Sequence, residues 1–221
     1  MPPERIRVVR NGIDVERVLQ LSVRQPNGEE PDTVICVSRL TPQKGLDLLI
    51  RAHAIARRAA PHRLAIVGVG PDRKALEALT RMLGMEQTIE FRGFLSNPYP
   101  AIASAGLFCL PSLYEGLPLV LLEALLLRRP VISADCQTGP RTALDGGKYG
   151  DLVPAEDVDA LAEAIVAHFK DPRRLRDKAA GGEAWVRERF SIERAAREYA
   201  ALFDELAAPV RAKPSPFWKR R

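Results

Sequence analysis

Short apolar runs alternate with longer amphipathic stretches through most of the chain. Residues 33–38, 63–67, 88–92, 107–110 and 130–133 are rich in Val, Ile, Leu, Phe and Cys, and residues 151–153 make a shorter sixth run. Runs of this length, punctuated by Gly, Pro and Asp, read as buried strands. Between them, residues 43–59 and a stretch ending at Leu83 read as helices. From about Ala155 the pattern is wholly helical, in three segments divided near Asp171-Pro172 and Phe190-Ser191. Strands alternating with helices of this size predict an α/β fold with a doubly wound parallel sheet and C-terminal helices. No internal repeat is visible.

The first 32 residues complete no such unit. Residues 6–9 read as a strand end, 11–14 as a turn and 24–32 as a loop. The expected organisation is a lead-in or interdomain linker over 1–32, one domain over 33–207 and a basic tail over 208–221.

One stretch departs from ordinary patterning. Glu123 is the sole charge between Gly116 and Leu127, among Leu, Val, Pro and Ala. With Pro118 as the first helical residue, Glu123 shares a face with Leu119, Val120, Leu126 and Leu127. A carboxylate on an apolar helix is costly unless something polar meets it. A ligand hydroxyl would do so; the alternatives are an Arg from elsewhere in the chain or an uncovered edge.

Composition narrows the options. An apolar fraction of 46% over 221 residues is ordinary for a globular protein. The longest apolar stretch, 117–127, is too short to span a bilayer, and no apolar segment follows Met1-Pro2-Pro3-Glu4 as in a signal peptide. Cys36, Cys109 and Cys136 show no paired spacing and read as reduced, buried thiols of a cytoplasmic protein. His53, His62 and His168 have no metal-ligand spacing. The net charge of +5 suits a phosphorylated substrate, a nucleic acid or a membrane surface. Its cations are spread through the helices, which argues against nucleic acid. Only residues 211–221 gather Lys and Arg with Phe217 and Trp218; they read either as an unstructured terminus or as a peripheral membrane contact.

In sheets of this kind, ligands bind beyond the carboxyl ends of the strands. The loop after the first strand holds Arg39 and Lys44, a guanidinium fork and a point charge near a helix start, suited to a diphosphate. Two solvated loop cations is the plainer alternative. Gly68-Val69-Gly70-Pro71 begins like a dinucleotide fingerprint, but Arg73 stands where the third Gly would be, so a nicotinamide-dependent oxidoreductase rests on fold analogy alone.

Taken together, Arg39…Lys44-Gly45, the Gly68-x-Gly70-Pro71 turn, Glu115-Gly116-Leu117-Pro118…Glu123, Gly139-Pro140-Arg141 and residues 147–154 resemble the C-terminal, donor-binding half of GT-B glycosyltransferases of the retaining family 4. The likeness covers roughly residues 5 to 205, and its specificity lies in the joint order of the pieces. It implies a Rossmann-like domain that binds a nucleotide sugar, such as a UDP- or GDP-sugar. The sugar would pass to a glycan or lipid-linked acceptor with retention and without a metal. Arg39 and Lys44 would contact the diphosphate, Glu123 the ribose hydroxyls and Glu115, as the catalytic carboxylate, the transferred sugar. Gly116, the backbone N–H groups of Leu117, Leu119 and Val120, and Pro118 between them would meet sugar and phosphate oxygens. Gly68 would let the backbone pass, and Gly93 and Phe94 would lie near the nucleobase. Asp157-Val158-Asp159 follows Pro154 and reads as a helix cap rather than a metal motif.

The family also implies an N-terminal acceptor-binding domain, for which residues 1–32 hold no candidate. The alternative function is therefore a non-catalytic nucleotide-sugar-binding half that acts with a separate acceptor domain or chain. On either reading the expected location is the cytoplasm, free or peripheral at the inner membrane face.

Overall fold

The computed structural model describes residues 6–23 and 28–207; the basic tail lies outside them. A helix α1 (Val15–Ser22) precedes β1 (Glu30–Val37), α2 (Leu46–Ala56), β2 (Arg63–Val67), α3 (Arg73–Met82), β3 (Ile89–Gly93), α4 (Tyr99–Ser104) and β4 (Ala105–Leu110). Then come α5 (Leu119–Leu126), β5 (Val131–Ala134), α6 (Gly139–Ala143), β6 (Asp151–Val153), α7 (Val158–Lys170), α8 (Pro172–Ala179), α9 (Gly182–Phe190) and α10 (Ile192–Ala207). The six strands form one sheet in the order β3-β2-β1-β4-β5-β6, every pairing parallel. The α/β, doubly wound expectation is met.

Parallel strands are covered on both faces, so alternate side chains feed two cores. Val34, Cys36, Leu64, Ile66, Leu107 and Cys109 pack with Leu49 and Ile50 of α2 and with Leu161 and Ile165 of α7. Ile35, Ala65, Phe108 and Leu110 pack with Val15 and Val18 of α1, Leu121 and Leu125 of α5, and Val186 of α9. Phe108 is fully buried, and its truncation to Ala would cost about 3–5 kcal/mol.

Several local expectations needed correction. Residues 15–22 form a helix, capped by Asp14 Oδ1, which accepts from Arg17 N at 3.0 Å; residues 11–14 are its lead-in. The strand expected to start at Thr33 begins at Glu30. Residues 42–44 make a 3₁₀ turn, and α2 starts only after Gly45, whose φ of 58° breaks the helix. Pro118 is the extended N-cap of α5 rather than its first residue. The C-terminal region divides where Asp171 caps α8 and at Ser191, but also at Gly181. A methyl on Gly181 would meet Tyr149 at 2.9 Å and one on Gly182 would meet Leu125 at 3.1 Å, so this junction is set by close approach to the domain. Asp157 caps α7, accepting from Ala160 N at 2.9 Å, as its position suggested. Cys36, Cys109 and Cys136 are free and buried. Among the described residues no helix is long and apolar enough to cross a membrane.

Candidate functional site

The strand order reverses between β1 and β4, so the loops following those strands diverge and leave a crevice at the carboxyl edge. Four loops interlock there through backbone contacts that exclude a Cβ. A methyl on Gly68 (φ 138°) would lie 1.8 Å from the Ser38 carbonyl oxygen, and one on Gly70 2.2 Å from that of Leu40. The Gly68-x-Gly70 turn thus seats the loop after β2 on the loop after β1. Arg73, in the place of a third Gly, starts α3 and pairs with Glu77 at 2.8 Å.

The loop after β1 is tied in turn to the loop after β4. Gln43 O accepts from Leu113 N at 2.9 Å, and Gln43 Nε2 donates to Tyr114 O at 2.9 Å. These bonds bring Lys44 to Glu115: Nζ donates to Oε1 at 2.6 Å, with the two side chains 14% and 8% exposed. Ser112 Oγ donates to the same oxygen at 2.7 Å. The predicted cation and carboxylate therefore meet as an enclosed pair, 71 residues apart in sequence. Arg39 lies on the same loop, exposed; its carbonyl accepts from Thr41 N at 3.1 Å, and its guanidinium has no hydrogen bond or ion pair among the described residues.

The loop after β5 closes the ring. Thr138, at φ 77° and ψ −89°, donates from Oγ1 to Glu115 O at 2.5 Å. Backbone at such angles is costly and persists where its surroundings hold it. A methyl on Gly139 would stand 1.9 Å from Gly116 O, so the Gly139-Pro140-Arg141 turn supports the Glu115–Pro118 loop directly. Gly116 itself faces open space. Leu119 and Val120, in the first turn of α5, are partly exposed, and helix geometry leaves their N–H groups without intrahelical partners.

Glu123 is partly buried and pairs with no Arg among the described residues. Tyr99 Oη donates to its Oε1 at 3.2 Å. Burial raises the Glu123 pKa, an effect the Tyr99 hydrogen bond partly offsets. Burial and the facing carboxylate push the Tyr99 phenol up to about 12. Gly93 turns at φ 70°, and its carbonyl accepts from Gly68 N at 2.7 Å. Phe94, next along, is 73% exposed. Arg92 is held by Glu30 and Glu90 at 2.8 and 2.9 Å.

Sequence reasoning missed Tyr99, Ser112 and Thr138. Tyr99 sits between Pro98 and Pro100, which hid the short helix α4 that presents it. Ser112 was visible as a polar residue just past an apolar strand. Thr138 had no local signal, since its role depends on a loop 23 positions away. Among the described residues no three His, Cys, Asp or Glu side chains are gathered so as to hold a metal ion.

A family model for glycosyl transferases group 1 matches residues 31–171, more than half of the chain. The chain belongs to this family. Within the glycosyl transferases, it is 36% identical over 192 residues to a GDP-mannose-dependent alpha-(1-6)-phosphatidylinositol monomannoside mannosyltransferase of Mycolicibacterium smegmatis, covering 79% of this chain and 50% of that protein. It is 32% identical over 177 residues to the alpha-D-kanosaminyltransferase of Streptomyces kanamyceticus, covering 78% and 45%. Anabaena HepE, solved in complex with UDP, superposes with a TM-score of 0.80 at 26% identity, over 91% of this chain and 58% of that one. The fold is thus the Rossmann-like half of a GT-B glycosyltransferase. The chain spans about half the length of the curated relatives it matches.

Proposed function

We propose that this domain binds the nucleotide-sugar donor of a retaining glycosyltransferase in the crevice between the loops after β1 and β4. The observation that carries the reading is the enclosed Lys44–Glu115 pair, held at the switch point beside the start of α5, with Glu123 one to two turns further along that helix. The diphosphate would lie between Arg39, Lys44 and the free N–H groups of Leu119 and Val120, where cations and the helix dipole meet it without a metal. As the bond between sugar and diphosphate breaks, those groups would stabilise the charge gathering on the leaving phosphate. Glu115 would accept hydrogen bonds from the sugar hydroxyls, and Glu123 from the ribose. Transfer, retention and an acceptor glycan or lipid-linked sugar are carried from the family resemblance.

A thermal-shift titration with UDP, GDP, ADP and their glucose conjugates tests this reading. A ligand at a hundred times its Kd adds about 2.7 kcal/mol to the folded state, a rise of roughly 5–10 °C for a domain of this size. A rise with one nucleotide, lost in Glu123→Ala, supports the donor site and names the base; no rise with any of them removes the proposal. EDTA should leave the rise unchanged. A second reading is a binding half that transfers only when a partner supplies an acceptor domain. It predicts nucleotide binding with no transfer by the chain alone and transfer on adding that partner.

A further inference from the structure

Beside the donor crevice lies a cavity of about 200 Å³ with an unusual charge balance. Arg10, Arg141, Arg189 and Arg194 line it, against the single carboxylate of Asp145. The carboxylates that pair with three of these guanidiniums, Asp135, Glu188 and Glu198, are outside the lining. Arg10 has no hydrogen bond or ion pair among the described residues. Each guanidinium has five N–H donors, and the bonds to protein use only a fraction of them. Arg10 is thus the one guanidinium of the four with no carboxylate partner among the described residues, and an anion in the cavity would be attracted by all four.

The cluster is built on fixed supports rather than on loose surface chains. Ile13 N donates to Phe190 O at 2.8 Å and Ile192 N to Ile13 O at 3.0 Å. These bonds pin the segment bearing Arg10 to the junction of α9 and α10. Gly12 fits there because a Cβ would come within 2.6 Å of Ser191 O. Trp185, also in the lining, is anchored by its Nε1, which donates to Ala143 O at 3.0 Å, and the Arg189 guanidinium lies over its ring at 5.4 Å. A second cavity of about 270 Å³ shares Arg10 and Thr142 with the first and is bounded by Gly116, Leu117 and Thr138. The arginines therefore adjoin the loop that bears Glu115.

We propose that this cavity is an anion subsite that holds the phosphate of a phosphorylated acceptor, leaving the rest of that acceptor to reach the donor crevice. An arginine fork donates two parallel N–H bonds to a pair of phosphate oxygens. The phosphate binding itself follows from the arginines; its assignment to the acceptor rests on the transferase reading above.

The test is a calorimetric titration of the whole chain, with and without saturating UDP, using inorganic phosphate and glycerol 3-phosphate. Saturable binding is expected in both states. It should persist under saturating UDP, weaken about tenfold in Arg10→Ala, the loss of one charge-assisted contact, and fall further in Arg10→Ala/Arg194→Ala. Arg10 is exposed, so its replacement should leave the unfolding midpoint in place and decides the matter even if the double variant fails to fold. Binding that Lys44→Ala abolishes and Arg10→Ala spares would place the phosphate in the diphosphate site and overturn the proposal, as would the absence of saturable binding. Because the titration is also run without UDP, failure of the donor reading would show separately. Co-sedimentation with phosphatidylcholine vesicles, with and without phosphatidylinositol, distinguishes a lipid headgroup from a free phosphate. Capture that needs phosphatidylinositol, is competed by glycerol 3-phosphate and is weakened in Arg10→Ala assigns the headgroup as the source. Binding of soluble phosphates without such capture assigns a free phosphorylated acceptor.

Discussion

Replacing Gly139 by Ala should damage a site that Gly139 does not itself enter. The added methyl would stand 1.9 Å from Gly116 O and 2.5 Å from Pro118 Cδ, whereas side-chain carbons essentially never approach within 3.0 Å. The loops after β4 and β5 must therefore separate by about 1.1 Å, the difference between the closer contact and that limit. An opening of that size breaks the 2.5 Å bond from Thr138 Oγ1 to Glu115 O and displaces Glu115 from Lys44. Overpacking costs about 1–3 kcal/mol and the lost hydrogen bond about 1 kcal/mol more. The melting midpoint should fall by roughly 4–15 °C, and nucleotide-sugar affinity by ten- to a hundredfold, since ångström displacements of positioned groups have effects of that order. Gly116→Ala is the matched comparison, because nothing lies within 4 Å of its added methyl. Its stability should stay within about 0.5 kcal/mol, while affinity falls because the methyl enters the crevice. Calorimetric binding and thermal unfolding of both variants measure these quantities. Unchanged affinity and midpoint in Gly139→Ala, or an equal loss of stability in both variants, would refute the loop-support argument.

Three further outcomes follow from the same geometry. Glu123→Gln should weaken nucleotide binding ten- to a hundredfold yet hold or raise the melting midpoint at neutral pH, because burial disfavours the native carboxylate; a lower midpoint with unchanged affinity would assign Glu123 to the fold alone. Lys44→Ala leaves Glu115, 8% exposed, with only Ser112, and should cost about 1–3 kcal/mol; adding Glu115→Gln should recover part of that stability but none of the affinity, which a double-mutant cycle reads directly. Burial holds His53 at about 3 and His168 at about 4, against 6.5 when free, so they fold neutral. Their contribution is complete above pH 6.5 and is lost as pH falls toward the folded values, roughly 2–3 kcal/mol for His53 alone by pH 4.5. A urea midpoint that stays flat between pH 6.5 and 4.5 would contradict this.

Glu123 shows how far a sequence pattern reaches. Its isolation on an apolar helix was legible from spacing alone and signalled a polar partner, yet Tyr99 was not named. The two lie 24 positions apart, on helices α4 and α5 that meet only in the tertiary fold. Gly181 shows the converse limit. Its small neighbours and flanking helical pattern hid a break that exists because α8 and α9 press against Tyr149 and Leu125.

Strand and helix order, the doubly wound class, the cations Arg39 and Lys44 and the isolation of Glu123 depend on local periodicity and on spacing within single loops, which a sequence states directly; Glu115 entered through the family resemblance. The ring of loops does not. It depends on carbonyl oxygens of Ser38, Leu40 and Gly116 meeting glycines 23 to 30 positions away, and on Lys44 and Glu115 crossing the point where the strand order reverses. The arginine cavity likewise joins residues from position 10 to position 194. Backbone approach and charge convergence at such separations are set by how the sheet and its two helical layers pack, and only the tertiary structure determines them.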